Sequence, residues 1–550
     1  MKLLCVLLLS LSSSICQETD GPNPTEIVYT GSGPVRGREV VKDGKTQYEF
    51  LGVPFAQPPV GPLRFMPPQP VKPWVEVMEA VKDGATCIQA VSELSDEFAG
   101  ETGDNTQESE DCLTLNIFTN SLGSRKAPQA VMVWIHGGGF TLGSKDIYRM
   151  SGLVAQDVVL VAMNYRLGAL GFLSFGNDLV SGNMGLRDQH LALMWVQANI
   201  HEFGGDPTKI TIFGESAGAV SVQAQVLSPL NSGVIQGAIA QSGSVLFLNL
   251  DKPGAEKIFA RNAAKALGCP QSLDSRTLEC LQKVDFKQEV SKITDSDSAY
   301  YDPSYVVQFN FVPVVDSYAS QPFIPTDPLE ALKTGMFNKI PFMSGTCAFE
   351  GALMTGILSL QGIEGAGVVD LIELPAKTSW TIHYGQDDVF TKVALKFYNH
   401  STGDSRLELE RPALDFFTDS LFLSSDQKSV ELMSQHSRHI YNYYFSQETN
   451  NSLLTSEFGL PSTHTPGHGD DLTFQITEGA VDPSRFSEAE AATAGHMARY
   501  WTNFAKFGNP TPVTGDKDSQ LWYPVTPVAK VSTILDQRTA LINVSCIRTT

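Results

Sequence analysis

The chain has 550 residues, 42% of them hydrophobic, which is enough for an extensive core. Lys and Arg number 39 against 60 Asp and Glu, a formal net charge of −21. That charge is repelled by phosphate backbones and anionic lipid, so nucleic acid is excluded as a partner class, while no particular substrate is named.

Met1 and Lys2 precede an apolar run at 3–11, followed by small and polar residues at 12–17. A basic start, an apolar stretch too short to span a bilayer and small residues after it predict a secretory signal peptide over 1–16. No later stretch has the length and apolarity of a membrane span, and the last residues carry neither a retention signal nor an anchor tail. The expectation is a secreted protein with no stable membrane anchor. Cys5 and Cys16 fall in the leader, leaving Cys87, Cys112, Cys269, Cys280, Cys347 and Cys546. Many pairings are open to six cysteines; proximity favours Cys87 with Cys112 and Cys269 with Cys280. Sequons at Asn399, Asn450 and Asn543 fit an oxidising, glycosylating compartment.

Behind the leader, 26–29 and 35–41 read as a hairpin with a Gly-rich turn. Residues 49–59 read as a Pro-rich loop around apolar anchors, because proline removes a backbone donor. The stretch 88–111 is acidic and polar, like a surface loop. Leu113, Leu115 and Ile117 alternate with polar residues as a strand would. The runs at 131–135 and 158–163 are continuously apolar, as strands buried on both faces are. Residues 186–200 read as a helix, 210–213 as a buried strand, 219–227 as a helix, 237–241 as a strand and 488–506 as a long helix. This alternation places the chain in the α/β class, with a parallel sheet covered on both sides. No linker or repeat divides it, so 17–550 is expected to form a single domain.

The strand at 210–213 and the helix at 219–227 are joined by Gly214-Glu215-Ser216-Ala217-Gly218. Small-x-Ser-x-small between strand and helix is the setting of a nucleophilic serine on a sharp turn, where side chains at the flanking positions would collide with neighbours. Directly after the 131–135 strand stands His136-Gly137-Gly138-Gly139-Phe140. Such a loop leaves backbone N–H groups free to converge on a developing oxyanion, so Gly138 and Gly139, with Ala217 after the serine, are the candidate donors. No Gly-Lys-Ser/Thr follows, which argues against a nucleotide phosphate loop. A serine needs a base, and His468, flanked by Gly467 and Gly469, is the candidate, with His464 its rival. The acid that orients the base lies between them in the chain. Glu350, before Gly351, is a reasonable site, and Asp316 and Asp327 compete. No Cys/His cluster has zinc spacing, and neither metal nor organic cofactor is expected.

With these residues in view, the chain resembles the type-B carboxylesterases of the α/β-hydrolase superfamily over nearly its whole length. The matching segments are 52–59, 110–113, 136–140, 164–168, 185–189, 213–218 and 241–244, together with the Glu350-Gly351 and Gly467-His468-Gly469 motifs. The resemblance implies an α/β-hydrolase fold with a large, mostly parallel central sheet and helices on both faces. It implies Ser216, Glu350 and His468 as the triad, Gly138, Gly139 and Ala217 as oxyanion donors, the two local disulfides, and Ser242 as a support for the acid. The implied partner is a small-molecule carboxylic ester. Residues 88–111 lack the tryptophan with which cholinesterases hold a choline head by cation–π attraction, so choline esters are disfavoured. Val307 and Phe309 belong to the expected acyl pocket, where Val307 makes room for a longer acyl chain. Leu353 and Met354 line the same cleft or are plain core. Lipase and terpenoid-esterase roles remain alternatives within the family. An adhesion-type relative without catalysis is disfavoured by the presence of all three motifs.

Overall fold

The computed structural model describes residues 23–543 apart from 43, 90–106, 124–126, 248–253, 291–292, 294–310, 354–410, 412–413, 450, 453–464, 478–480, 513–520, 530 and 537–539. The signal peptide, Val307, Phe309, Met354, His464, Asn399 and Asn450 lie outside the described residues.

A 13-stranded sheet runs through the described chain. In chain order its main strands are β1 (Pro24–Tyr29), β2 (Pro34–Lys42), β3 (Lys45–Pro54), β4 (Thr114–Thr119), β5 (Gln129–Ile135), β6 (Val158–Met163), β7 (Gly205–Glu215), β8 (Gly237–Gln241), β9 (Phe342–Cys347), β10 (Ile440–Phe445), β11 (Val531–Leu535) and β12 (Ala540–Asn543). The spatial order is β1-β2-β3-β4-β6-β5-β7-β8-β9-β10-β11-β12, with the short strand Met78–Glu79 beside β2. From β6 through β5 and β7 to β11 every neighbouring pair is parallel, whereas β1 to β4 and the β11–β12 edge are antiparallel.

The parallel block is buried on both faces, which is why its strands read as unbroken apolar runs. Val131, Val133 and Ile135 of β5 pack into one core, and Ala130, Met132 and Trp134 into the other. The first core is closed by α1 (Met184–Asn199) and α2 (Ala217–Leu227), through Leu186, Leu193, Val196, Val222 and Val226. The second is closed by a helix later in the chain, α4 (Glu488–Phe507), through Met497, Tyr500, Trp501 and Phe504. Between these in sequence, α3 (Ser424–Ser434) contributes Val430, Leu432 and Met433 to the first core. The α4 N-terminus carries a full capping box, Ser487 with Glu490, and its C-terminus stops at Gly508 in the left-handed region.

Two elements differ from expectation. Residues 49–54 were expected in a loop but complete β3, because Phe50, Leu51 and Val53 are buried and Pro54 falls at the strand's last position, where a missing donor costs least. Burial along β4 does not alternate, because Leu115 and Ile117 pack into one core and Phe118 into the other, so both faces of the strand are covered. The disulfides Cys87–Cys112 and Cys269–Cys280 are formed, and Cys347 is a free, buried thiol. The backbone of Asn543 ends β12, paired with Val531. Among the described residues no helix is long and apolar enough to cross a membrane.

Candidate active site

The carboxyl ends of β5, β7, β8 and β9 lie side by side, which is where open parallel sheets place their chemistry. β7 ends at Glu215, and the next residue, Ser216, turns at φ 57° and ψ −123° before α2 begins at Ala217. That conformation costs an L-residue on the order of 1–3 kcal/mol and persists only where the surroundings enforce it. Here the Ser216 N–H donates to the Gln241 carbonyl at 2.9 Å, tying the turn to the end of β8. The flanking glycines are required by contact: a Cβ on Gly214 would stand 2.5 Å from the Ile135 carbonyl oxygen, and one on Gly218 only 2.1 Å from it. Gly218→Ala is therefore expected to destabilise the fold by about 3 kcal/mol. Its melting temperature against wild type checks this, and an unchanged melt would show that the elbow yields.

The glycine loop after β5 is held by its carbonyls. Gly138 O accepts the N–H groups of Thr141 and Leu142, both at 3.0 Å. In a planar trans peptide the N–H points opposite to the C=O, so the Gly139 N–H is turned out of that tight turn. The Gly137 carbonyl lies 2.9 Å from His136 Nδ1, which orients the Gly138 N–H in the same way when Nδ1 carries the proton. His136 is buried and stacked on Tyr165, with ring centroids 4.4 Å apart, and Tyr165 donates to the His136 carbonyl. Burial pulls the His136 pKa down to about 4, opposed by the Gly137 bond and aided by the Lys145 charge, so the ring is neutral at physiological pH. A Cβ on Gly137 would reach Ser216 Cβ at 3.2 Å, which shows how closely this loop lies over the serine. The N–H groups of Gly138 and Gly139 have no acceptor among the described residues. Ala217 is the first residue of α2, whose opening N–H groups lack helical acceptors.

Glu350 and His468 meet across 118 positions of sequence: His468 Nδ1 lies 2.6 Å from Glu350 Oε2. Two short pieces of backbone bring them together. The Phe349 N–H donates to the Pro466 carbonyl at 3.0 Å, and Phe349 and Gly467 form a parallel bridge. The second carboxylate oxygen of Glu350 accepts the Cys347 N–H at 2.6 Å, so the acid is anchored to the end of β9. Both side chains are buried. The rivals hold other posts. Asp316 accepts the N–H groups of Phe323 and Ile324 and pairs with Arg187, and Asp327 caps the helix Pro328–Thr334. Ser242 Oγ faces Cys347 Sγ at 4.0 Å. Leu353 is half-buried against the small cluster of Phe349, Ala352 and Leu414 beside Glu350.

On its other side the imidazole faces Glu215: His468 Nε2 lies 3.0 Å from Glu215 Oε1, within ion-pair reach but off the hydrogen-bonding direction. No hydrogen bond joins it to Ser216 Oγ among the described residues. Phe422, on a π-helical turn over Thr418–Leu423, packs on the ring at 4.8 Å. Asp471 lies behind, accepting from Gln241 Nε2 at 2.9 Å and from the Tyr443 hydroxyl at 2.8 Å. Glu215 stands inside the serine motif and Asp471 three positions after His468, so their nearness to the base was open to sequence reading; Phe422 carries no local signal.

The family model for the carboxylesterase family matches residues 24–542. The chain belongs to the carboxylesterase family. It is similar to an acetylcholinesterase of Bungarus fasciatus, 34% identical over 88% of this chain and 78% of that protein. It is similar also to a pyrethroid hydrolase, Ces2e, of Rattus norvegicus, 33% identical over 90% of this chain and 84% of that one. A carboxylic ester hydrolase of Bombus ignitus is 32% identical over 93% and 90% of the two chains. This carboxylesterase thus has the α/β-hydrolase fold, and ester hydrolysis is its activity.

The electrostatics of the carboxylesterase site are set by burial and by carboxylates. Burial alone would push the His468 pKa down, but Glu215, Glu350 and, more weakly, Asp471 outweigh it and hold it above the ordinary imidazole range. Burial pushes the Glu215 carboxyl up, with Asp471 and Glu350 adding to the rise and His468 opposing it. Burial also pushes Asp471 up to about 6, against the bonds from Gln241 and Tyr443.

Proposed function

We propose that this carboxylesterase is secreted as one domain over 17–550 after loss of a leader at 1–16, and that it cleaves small-molecule carboxylic esters through an acyl-enzyme on Ser216. The reading is carried by the 2.6 Å contact of His468 Nδ1 with Glu350 Oε2, next to a serine on a strained turn. In this reading Ser216 Oγ attacks the ester carbonyl carbon as its proton passes to His468 Nε2. The imidazole first turns from Glu215 toward Oγ, a tightening common between free and substrate-bound enzymes. Glu350 holds the Nδ1 proton and stabilises the imidazolium. The oxyanion sits on the N–H groups of Gly138, Gly139 and Ala217, at the N-terminus of α2 where the helix dipole adds to them. The C–O bond breaks, the alcohol leaves with the Nε2 proton, and water activated by the same nitrogen releases the acid. Val307, Phe309, Leu353 and Met354 are the proposed acyl-pocket residues, on the sequence resemblance. Asn399, Asn450 and Asn543 are the proposed glycosylation sites.

A fluorophosphonate probe tests this, since it phosphonylates an activated serine with loss of fluoride. Peptide mass mapping is expected to find the adduct on Ser216, with hydrolysis of p-nitrophenyl butyrate lost in step. Adduct formation elsewhere, with hydrolysis intact, would overturn it. A panel of acyl, pyrethroid and choline esters reads the substrate class; the Trp-free stretch 88–111 predicts that choline esters turn over slowest.

The carboxylates around His468 give a pH prediction. The base must be neutral to accept a proton, so kcat/KM rises with pH through the free enzyme's His468 pKa. Glu215→Gln removes a negative charge that favours the imidazolium, which lowers that pKa. The acid limb is expected to move down by about one pH unit, with Glu350 and Asp471 still in place. An unmoved limb would show that Glu215 is protonated throughout.

A further inference from the structure

We infer that Gln89 is a positioning residue for the oxyanion loop, coupling it to the Cys87–Cys112 disulfide. The inference rests on the proposed acyl-enzyme reading. Gln89 Oε1 accepts the Gly143 N–H at 2.9 Å, while its Nε2 donates to the Cys87 carbonyl at 3.2 Å and, more weakly, to the Gly143 carbonyl at 3.5 Å. One half-buried amide thus grips both polar groups of Gly143 and is itself braced on a disulfide cysteine two positions away.

Gly143 is where such a grip matters. It turns at φ 112°, and a Cβ there would lie 2.6 Å from His136 Nδ1 and 2.7 Å from the Gly137 carbonyl oxygen. Those two atoms form the contact that orients the Gly138 N–H. Three contacts bear on Gly137, Gly138 and Gly143, beside the 2.7 Å bond from the Gly168 N–H to the Phe140 carbonyl. His136 holds the Gly137 carbonyl, Thr141 and Leu142 hold the Gly138 carbonyl, and Gln89 holds Gly143 against the first of these. The first two are internal to the segment 136–142. Gln89 comes from a different part of the chain, 54 positions away, and ties the loop to a covalently closed segment. A preoriented donor stabilises a transition state only if it is not free to reorient, so slack at Gly143 reaches the oxyanion and not the ground-state ester.

The test compares Gln89→Met, which keeps the length but loses both polar ends, with Gln89→Glu, which keeps the acceptor for Gly143. Readouts are kcat and KM on p-nitrophenyl butyrate, and the inhibition constant of a trifluoromethyl ketone, whose adduct with the serine places an oxyanion in the hole. Gln89→Met is expected to lower kcat about tenfold and to weaken the ketone by the same factor, with KM within about twofold. Gln89→Glu is expected to recover most of the loss. A rise in KM alone, an unmoved ketone constant, or equal damage in both variants would overturn the positioning role. The ketone constant is measured on folded enzyme, so a lowered melting temperature by itself does not mimic the effect. Ser216→Ala run in parallel separates the two claims. If it still hydrolyses ester, the acyl-enzyme reading falls and takes this one with it. If it is dead while Gln89→Met is unchanged, only the positioning role falls.

Discussion

Ser216→Ala is expected to lower kcat for ester hydrolysis by roughly 10⁴- to 10⁶-fold while leaving the melting temperature where it is. The two halves of that result come from different parts of the structure. The loss follows because no other hydroxyl stands on the turn between β7 and α2, and water must then attack directly, helped only by the oxyanion donors and by substrate binding. The unchanged melt follows because the elbow is shaped by contacts that alanine keeps. The Ser216 N–H still donates to Gln241 O, and Gly214 and Gly218 still pass close to the Ile135 carbonyl. Alanine has the same Cβ, hence the same strain at φ 57°. The hydroxyl itself makes no hydrogen bond among the described residues whose loss would be felt. Steady-state kinetics with active-site titration, beside a thermal melt, measures both. Residual activity above about a tenth of wild type would mean that the serine is not the nucleophile.

How far this site was readable depends on whether its determinants are local. β6 and β8 were legible to the residue, because two-face burial demands unbroken apolar runs and their turns are sharply marked. The elbow was legible for the same kind of reason: the two glycines answer to one carbonyl, Ile135 O, and the need for them is written within five residues. Glu350 and His468 were not legible in this way. Local chemistry named them as candidates but left Asp316, Asp327 and His464 open, and the resemblance made the choice. The physical reason is that their meeting depends on a backbone bridge between Phe349 and Gly467, whose sequence neighbourhoods carry no mark of each other. The same holds for Phe422 on the imidazole and for Gln89 on Gly143, contacts made by the fold and not by spacing. β3 shows the opposite error, in which proline was given more weight than the buried Phe50, Leu51 and Val53 that decide the strand.

Glu350→Gln is expected to lower kcat by about 10³- to 10⁴-fold, nearly isosterically. In the native site Oε1 takes the Cys347 N–H and Oε2 faces His468 Nδ1, each at 2.6 Å. An amide at this position has one acceptor and one donor end. The Cys347 N–H can only donate, so it claims the amide oxygen, and the NH₂ is left facing Nδ1. Nδ1 must then be the unprotonated nitrogen, which puts the single proton of neutral His468 on Nε2, the atom that has to accept from Ser216. The base is thereby held in the wrong tautomer, and the imidazolium that forms during attack has lost its adjacent negative charge. Stability does not follow activity down, because a buried charge has been replaced by a buried amide with both ends still partnered. The expected signature is therefore a large fall in kcat, little change in KM and an unchanged or higher melting temperature. Glu350→Ala is expected to melt lower, since it leaves the Cys347 N–H buried without an acceptor. A Glu350→Gln enzyme within tenfold of wild type would remove the carboxylate from the mechanism and leave Glu215, at the Nε2 edge of the ring, as the group that orients His468.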